Sequence, residues 1–228
     1  RKTGITMLIL GIDTATKWTC TAVSENGRVL AHLERMLGKR QSELLPALVD
    51  EVLKISGKKI SDVDLVCTAA GPGYYTGIRA GIAYAAALSK ALGKKIVPVS
   101  TLETFVYDLT ETDGICVPLL KARGDAVYAA IYKTENGKKE TLLEPCCIDA
   151  SELAARLEKI PEAVLAGADV SLYAPLAALG CEKINREYAP DGQIALIGEY
   201  CADRAAEPET VRGSYLREPD IGPSKRAD

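Results

Sequence analysis

The chain has 228 residues, 47% of them hydrophobic, and a net charge of −3 with both signs interspersed. That is enough apolar material for one compact domain or two small lobes, and it argues against a stand-alone nucleic-acid binder, which carries a basic face. No apolar run reaches the ~18 residues of a membrane span, no secretory signal is visible, and seven irregularly spaced cysteines without a C-x-x-C motif point to a reducing, cytoplasmic setting.

Residues 1–6 precede Met7 and are set aside as an expression remnant. The apolar run 8–12 is a buried-strand signal that ends at Asp13-Thr14. Strands follow at 18–24 and 28–34, joined by Asn26-Gly27, whose positive φ suits a primed hairpin turn. A helix over 42–56, with Ser42 as its cap and Gly57 as its stop, precedes a strand at 63–68. The glycine-rich segment 69–81 leads into a helix over 79–92, then a strand at 96–99 and a short helix through Leu109.

A second half repeats the plan. Strands are expected at 115–122, 125–135 and 138–148, with another Asn-Gly turn at 136–137. A helix at 151–159, a strand at 163–166 and helices at 170–179 and 194–204 complete it. A meander followed by β-α alternation, twice, predicts an α/β fold of two actin-like lobes, each a mixed sheet flanked by helices. The expected limits are 7–110 and 111–217, with a flexible tail over 218–228. Two early hairpins argue against the alternative, a single doubly wound sheet.

Glycine-rich strand-to-helix turns expose backbone N–H groups at a helix N-terminus, a natural anion site. Gly71, Gly73 and Gly77 are candidates there, together with Asp13 and Thr14 at the end of the first strand. An acid followed by small hydroxyl residues at a strand end suits a magnesium-bound phosphate, and equally an Asx turn. Asp169, in Gly167-Ala168-Asp169, reads as a helix cap. Cys146-Cys147 has no further ligands beside it and reads as two small strand residues, and His32 lacks a partner for metal binding.

The segment Ala70-Gly71-Pro72-Gly73-Tyr74-Tyr75-Thr76-Gly77-Ile78-Arg79-Ala80-Gly81 resembles the G-P-G-S-F-T-G-L-R-x-G signature of the TsaB (YeaZ) family, with Tyr74-Tyr75 where Ser-Phe is usual. Gly11-Ile12-Asp13-Thr14 resembles that family's opening. Ser42-Glu43-Leu44-Leu45-Pro46 resembles H-S-E-x-L-L-P, with Gln41 at the first position. Val99-Ser100-Thr101-Leu102-Glu103 resembles V-S-S-L-E. Four motifs in order over about 90 residues carry the resemblance.

The resemblance implies a non-catalytic subunit of bacterial t6A synthesis. The implied partners are a TsaD-like subunit, which transfers threonylcarbamoyl to adenosine 37 of ANN-decoding tRNAs, and a TsaE-like P-loop ATPase. The tRNA would be met only indirectly, and the isolated chain would form a homodimer. No cofactor of its own is implied, with ADP or ATP held by Asp13, Thr14, Gly71, Gly73 and Gly77 only at the partner interface. The competing reading is a free-standing actin-like phosphotransferase or M22-type metallopeptidase. Against it, Thr101 and Phe105 stand where TsaD-type sites carry a His-x-x-x-His pair, two ligands on one helix face. Lys121 also replaces the acid expected in the second phosphate hairpin.

Helix 42–56 is apolar around too wide an arc for one core face. The helix after the glycine turn is rich in alanine, which permits close helix approach. Leu44, Leu45, Leu48, Val49, Val52, Ile82 and Ala86 are therefore the expected partner interface.

Overall fold

A computed structural model describes residues 6–168 and 170–217. Two five-stranded sheets repeat one topology. In the first, β1 (Leu8–Asp13), β2 (Trp18–Glu25) and β3 (Arg28–Met36) form the antiparallel meander. β4 (Leu65–Ala69) adds parallel to β1, and β5 (Ile96–Val99) adds parallel to β4, giving the order β3-β2-β1-β4-β5. In the second, β6 (Gly114–Lys121), β7 (Ala126–Glu135) and β8 (Lys138–Asp149) make the meander. β9 (Val164–Gly167) and β10 (Glu182–Asn185) add in parallel beside β6. This repeat is the two-lobed actin-like ATPase fold. The hairpin turns are built as expected, with φ of 53° at both Asn26 and Asn136.

The period-two rule sets the layers of the first lobe. Leu8, Leu10 and Ile12 face one core with Leu45, Val49, Val52 and Leu53 of α1 (Gln41–Ser56). Ile9 faces the opposite core with Ile194, Ala195 and Ile197 of α6 (Gln193–Tyr200). The approach there is close: a Cβ on Gly11 would lie 2.7 Å from Ala195 N, and one on Gly198 would lie 2.5 Å from Cys67 Cβ. The segment beyond 193, expected in the second lobe, thus covers the first lobe's other face. Ala206 also bridges Ile96, and Val211 joins the α1-side core. A sheet must bury both apolar faces; α1 packs on one, and α2 (Tyr75–Leu92) reaches the other only through Ile78 and Ile82, leaving most of it to α6.

Other boundaries shift for local reasons. α1 runs directly out of a 3-10 turn at Gly38–Arg40, so Arg40, not Ser42, precedes it. α2 begins at Tyr75 rather than 79, taking the second half of the glycine segment into its first turns. α3 (Thr101–Val106) follows β5, and α4 (Ala150–Leu157) follows β8, capped by Asp149, whose Oδ1 accepts Ser151 N–H at 2.8 Å. The helix expected at 170–179 is a 3-10 turn at Val170–Leu172 and a single turn, α5 (Ala174–Ala177), with Pro175 inside it. β10, with the sequence EKIN, has no strand pattern of its own. The cap assigned to Asp169 and the tail at 218–228 lie outside the described residues, as do the first five residues of the N-terminal remnant.

The second lobe has its own core around Leu153, Leu157, Leu165 and Leu176. A further cluster joins the lobes: Leu102, Phe105 and Val106 of α3 meet Leu120, Ala130, Tyr132 and Ala166 of the second sheet. No helix among the described residues is long and apolar enough to cross a membrane.

Candidate functional site

The residues singled out at the two phosphate-type loops come together. Asp13 ends β1, where its Oδ1 accepts Ala15 N–H at 2.8 Å and Thr104 Oγ1 lies 3.5 Å from its Oδ2. Burial pushes its carboxyl up to about 6, while those two hydrogen bonds pull it back down. Thr68 Oγ1 and Thr101 Oγ1 are also buried, with no hydrogen-bond partner among the described residues.

The glycine segment lies directly on the β1–β2 hairpin. Tyr74 N–H donates to Ala15 O at 2.7 Å, and Thr14 Oγ1 donates to Gly77 O at 2.7 Å. A Cβ on Gly73 would strike Ala15 O, one on Gly77 would strike Thr14 O, and one on Gly81 would strike Thr14 Oγ1. Gly77 and Gly81 sit one turn apart on one face of α2, so the helix lies with its backbone against the hairpin. Gly71 is held from the other side: its O accepts Thr101 N–H at 2.9 Å, and a Cβ on it would lie 2.5 Å from Ser214 O.

Gln41, at the position where the family motif has His, locks the same hairpin. Its buried Nε2 donates to Thr16 O at 2.8 Å, Trp18 O at 3.1 Å and Thr14 O at 3.3 Å. Nothing in the sequence signals this role, whereas the four-residue spacing of the glycines does signal a close helix face. Gly77→Ala is expected to lower stability by about 3 kcal/mol, since backbone rather than a yielding side chain meets the new methyl. Urea denaturation measures it, and an unchanged midpoint would show that loop and hairpin do not pack.

The expected partner residues divide in two. Leu45, Leu48, Val49 and Val52 are buried inside the first lobe, which corrects their reading as a free interface. Most of the wide apolar arc of α1 is covered within the chain, by β2 and β3 on one side and α2 on the other, while Ile55 stays exposed. Leu44, Ile82 and Ala86 stay half-buried, next to exposed Ala47, Ala83 and Ala87.

Charged pairs tie the lobes together beside the joining cluster. Arg186 forks onto Asp108 at 2.6 and 2.7 Å and also donates to Phe105 O. Burial raises the Asp108 carboxyl, and Arg186, together with hydrogen bonds from Gln193 and Leu109 N–H, more than reverses this, leaving it below the usual range. Lys139 meets Glu103 at 2.5 Å, and Trp18 Nε1 donates to Glu187 at 2.6 Å. Phe105 is fully buried and Thr101 is buried beside it on α3. Lys121 is exposed at the end of β6. His32 lies 2.8 Å from Glu34 on β3, and the described residues hold no cluster of three or more His, Cys, Asp or Glu fit for a metal.

The family model for TsaD, tRNA N6-adenosine threonylcarbamoyltransferase, matches residues 35–184. The chain is 30% identical to the tRNA threonylcarbamoyladenosine biosynthesis protein TsaB of Bacillus subtilis, over 73% of each chain. It is 34% identical to TsaB of Escherichia coli, over 61% of this chain and 63% of that protein. In structure it is similar to YeaZ from Pseudomonas aeruginosa, with a TM-score of 0.81 at 20% identity, over 92% of this chain and all of that one.

Proposed function

The chain belongs to the TsaB family of tRNA threonylcarbamoyladenosine biosynthesis proteins, and from that membership we propose that it is the non-catalytic subunit that binds and activates a TsaD-like transferase. In this reading the partner carries out threonylcarbamoyl transfer to adenosine 37 of ANN-decoding tRNAs in the cytoplasm, and a TsaE-like ATPase completes the set.

The observation that carries the non-catalytic reading is Phe105. It stands, with Thr101, where the resemblance places a metal-binding histidine pair, and its ring is fully buried in the cluster that joins the lobes. A phenyl ring offers no lone pair to a metal, and here it supplies packing instead. Asp13, Thr14, Gly71, Gly73 and Gly77 serve the architecture of the loops in the same reading, so no nucleotide is required of this chain alone. The partner face is the outer side of α1 and α2, through Leu44, Ile82 and Ala86 and the small exposed residues between them, where alanines allow close helix approach.

Reconstitution tests the proposal. TsaD-like and TsaE-like proteins, with threonylcarbamoyl-adenylate and tRNA, are expected to form t6A at least tenfold faster when this chain is added. Modification by this chain alone, or full modification without it, would overturn the reading. Ala83→Glu, an exposed change worth within about 0.5 kcal/mol of fold stability, is expected to abolish co-elution with the partner while leaving the circular dichroism spectrum unchanged.

A further inference from the structure

The described chain passes between the lobes twice. It leaves the first lobe after α3 through the 3-10 turn Asp108–Glu111 into β6, and it returns after β10 through residues 186–192 into α6. Two crossings make a hinge, and relative motion of two lobes is the ordinary expectation unless their interface is large and apolar. Here the crossings are fastened to each other. Arg186, on the returning segment, forks onto both Asp108 oxygens of the outgoing one at 2.6 and 2.7 Å and also donates to Phe105 O. Its side chain is 11% exposed, and its backbone N–H donates to Gly167 O at 3.0 Å, so the residue is fixed at both ends. A bidentate pair sets orientation as well as distance, and rotation at the joint has to break it.

The rest of the returning segment is engaged in turn. Glu187 accepts Trp18 Nε1–H at 2.6 Å and lies 3.3 Å from Lys17 Nζ, and the Tyr188 ring lies 4.7 Å from the Trp18 ring between centroids. Ala189 is buried in the apolar cluster that joins the lobes. Asp191 and Gly192 take φ of 50° and 72° and turn the chain into α6. A Cβ on Gly192 would lie 2.9 Å from Val29 Cγ1 and 3.1 Å from Ala22 Cβ, so this turn is seated on β2 and β3. α3 adds a tie of its own, since Glu103 pairs with Lys139 of β8. Ties therefore leave the first lobe from β2, from α3 and from the turn after it, and no single contact carries the joint.

We propose that residues 186–192 act as a hinge lock: Arg186 and Glu187 hold the two lobes at one angle, and the chain moves as a single body instead of opening and closing between its lobes. This goes beyond the subunit reading and does not depend on it. A body held at one angle offers any partner a surface already in shape, with no domain freedom left to lose on binding.

The test is the distribution of distances between the lobes in the full chain. Ile55 in the first lobe and Leu172 in the second are 57% and 67% exposed. Each is replaced by a ketone-bearing amino acid that takes a spin label, which leaves the seven cysteines untouched, and double electron–electron resonance is recorded. The wild-type background is expected to give one narrow peak, and Arg186→Ala combined with Glu187→Ala to broaden it about twofold. Circular dichroism checks that the variant is folded. If it is not, Asp108→Asn takes its place, because it keeps the shape of the carboxylate and weakens the fork. Trp18 is the chain's one tryptophan, so its emission reads the outer tie directly. Glu187→Ala alone, a surface change, is expected to make Trp18 about twofold easier to quench with acrylamide, as local opening frees the ring. A wild-type distribution with two peaks, or as broad as that of the variants, would overturn the proposal. So would a folded variant that keeps the narrow peak, or Trp18 quenching that Glu187→Ala leaves unchanged.

Discussion

Leu45→Asp unfolds the first lobe. Leu45 is fully buried in the core between β1 and α1. Removing a buried leucine side chain costs about 2–5 kcal/mol, and the carboxylate left in its place adds several more for burial without a partner. The sum exceeds about 5 kcal/mol, comparable with the whole stability of an ordinary domain. Thermal and urea unfolding with circular dichroism will show the native signal lost or the transition tens of degrees lower. A folded Leu45→Asp protein that had only lost its partner would mean that this face of α1 is an interface after all. The contrast with Ala83→Glu, on the exposed face of α2, separates fold from association on neighbouring helices.

Asp13→Asn stabilises the protein above neutral pH, with the gain vanishing in acid. The native Asp13 carboxyl is raised by burial from 3.8 to about 6, whereas the unfolded one stays near its ordinary value. Between those values the native state holds a proton that the unfolded state has released, so stability falls as pH rises through this window. Once Asp13 is ionised in both states, the loss amounts to about 3 kcal/mol at ~1.4 kcal/mol per unit. Asparagine carries no charge, keeps an oxygen for Ala15 N–H and can donate to Thr104 Oγ1. Cys20 on β2 and Cys67 on β4 feel the Asp13 charge, but burial first of all holds both thiols well above their usual range, so they stay neutral across the window. Urea titrations at pH 4.5 and 7.5 measure the effect. A difference between variant and wild type that is constant with pH would show that Asp13 does not titrate there.

Much of the fold was legible because its signals are local. The two Asn-Gly turns require positive φ, and they appear at 26 and 136. The run Leu8–Asp13 is buried along its whole length, as a continuous apolar strand in a central position should be. β10 was not legible, because a four-residue edge strand of polar composition exists only by pairing with β9. α5 was misjudged for length because a helix pattern survives a proline that the helix does not. At the candidate site, Asp13, Thr14 and the glycines were singled out in the sequence as one candidate anion site, and in the structure Thr14 lies against Gly77 and Gly81. What else they meet was not legible: the third hydrogen-bonding partner of the hairpin is Gln41, and no spacing rule links 41 to 14, 16 and 18.

The sequence by itself determined the family, the twofold repeat of meander and β-α units, and the departures at Gln41, Tyr74-Tyr75, Thr101, Phe105 and Lys121. Those are properties of residue identity and of spacing along the chain. Only the tertiary structure decided that α6 covers the first sheet, that most of the broad apolar arc of α1 is satisfied inside the lobe, and that the glycine segment packs on the β1–β2 hairpin. The physical reason is that burial depends on which surfaces meet. A residue 184 positions away, as Ala195 is from Gly11, leaves no periodic mark of that meeting in the chain.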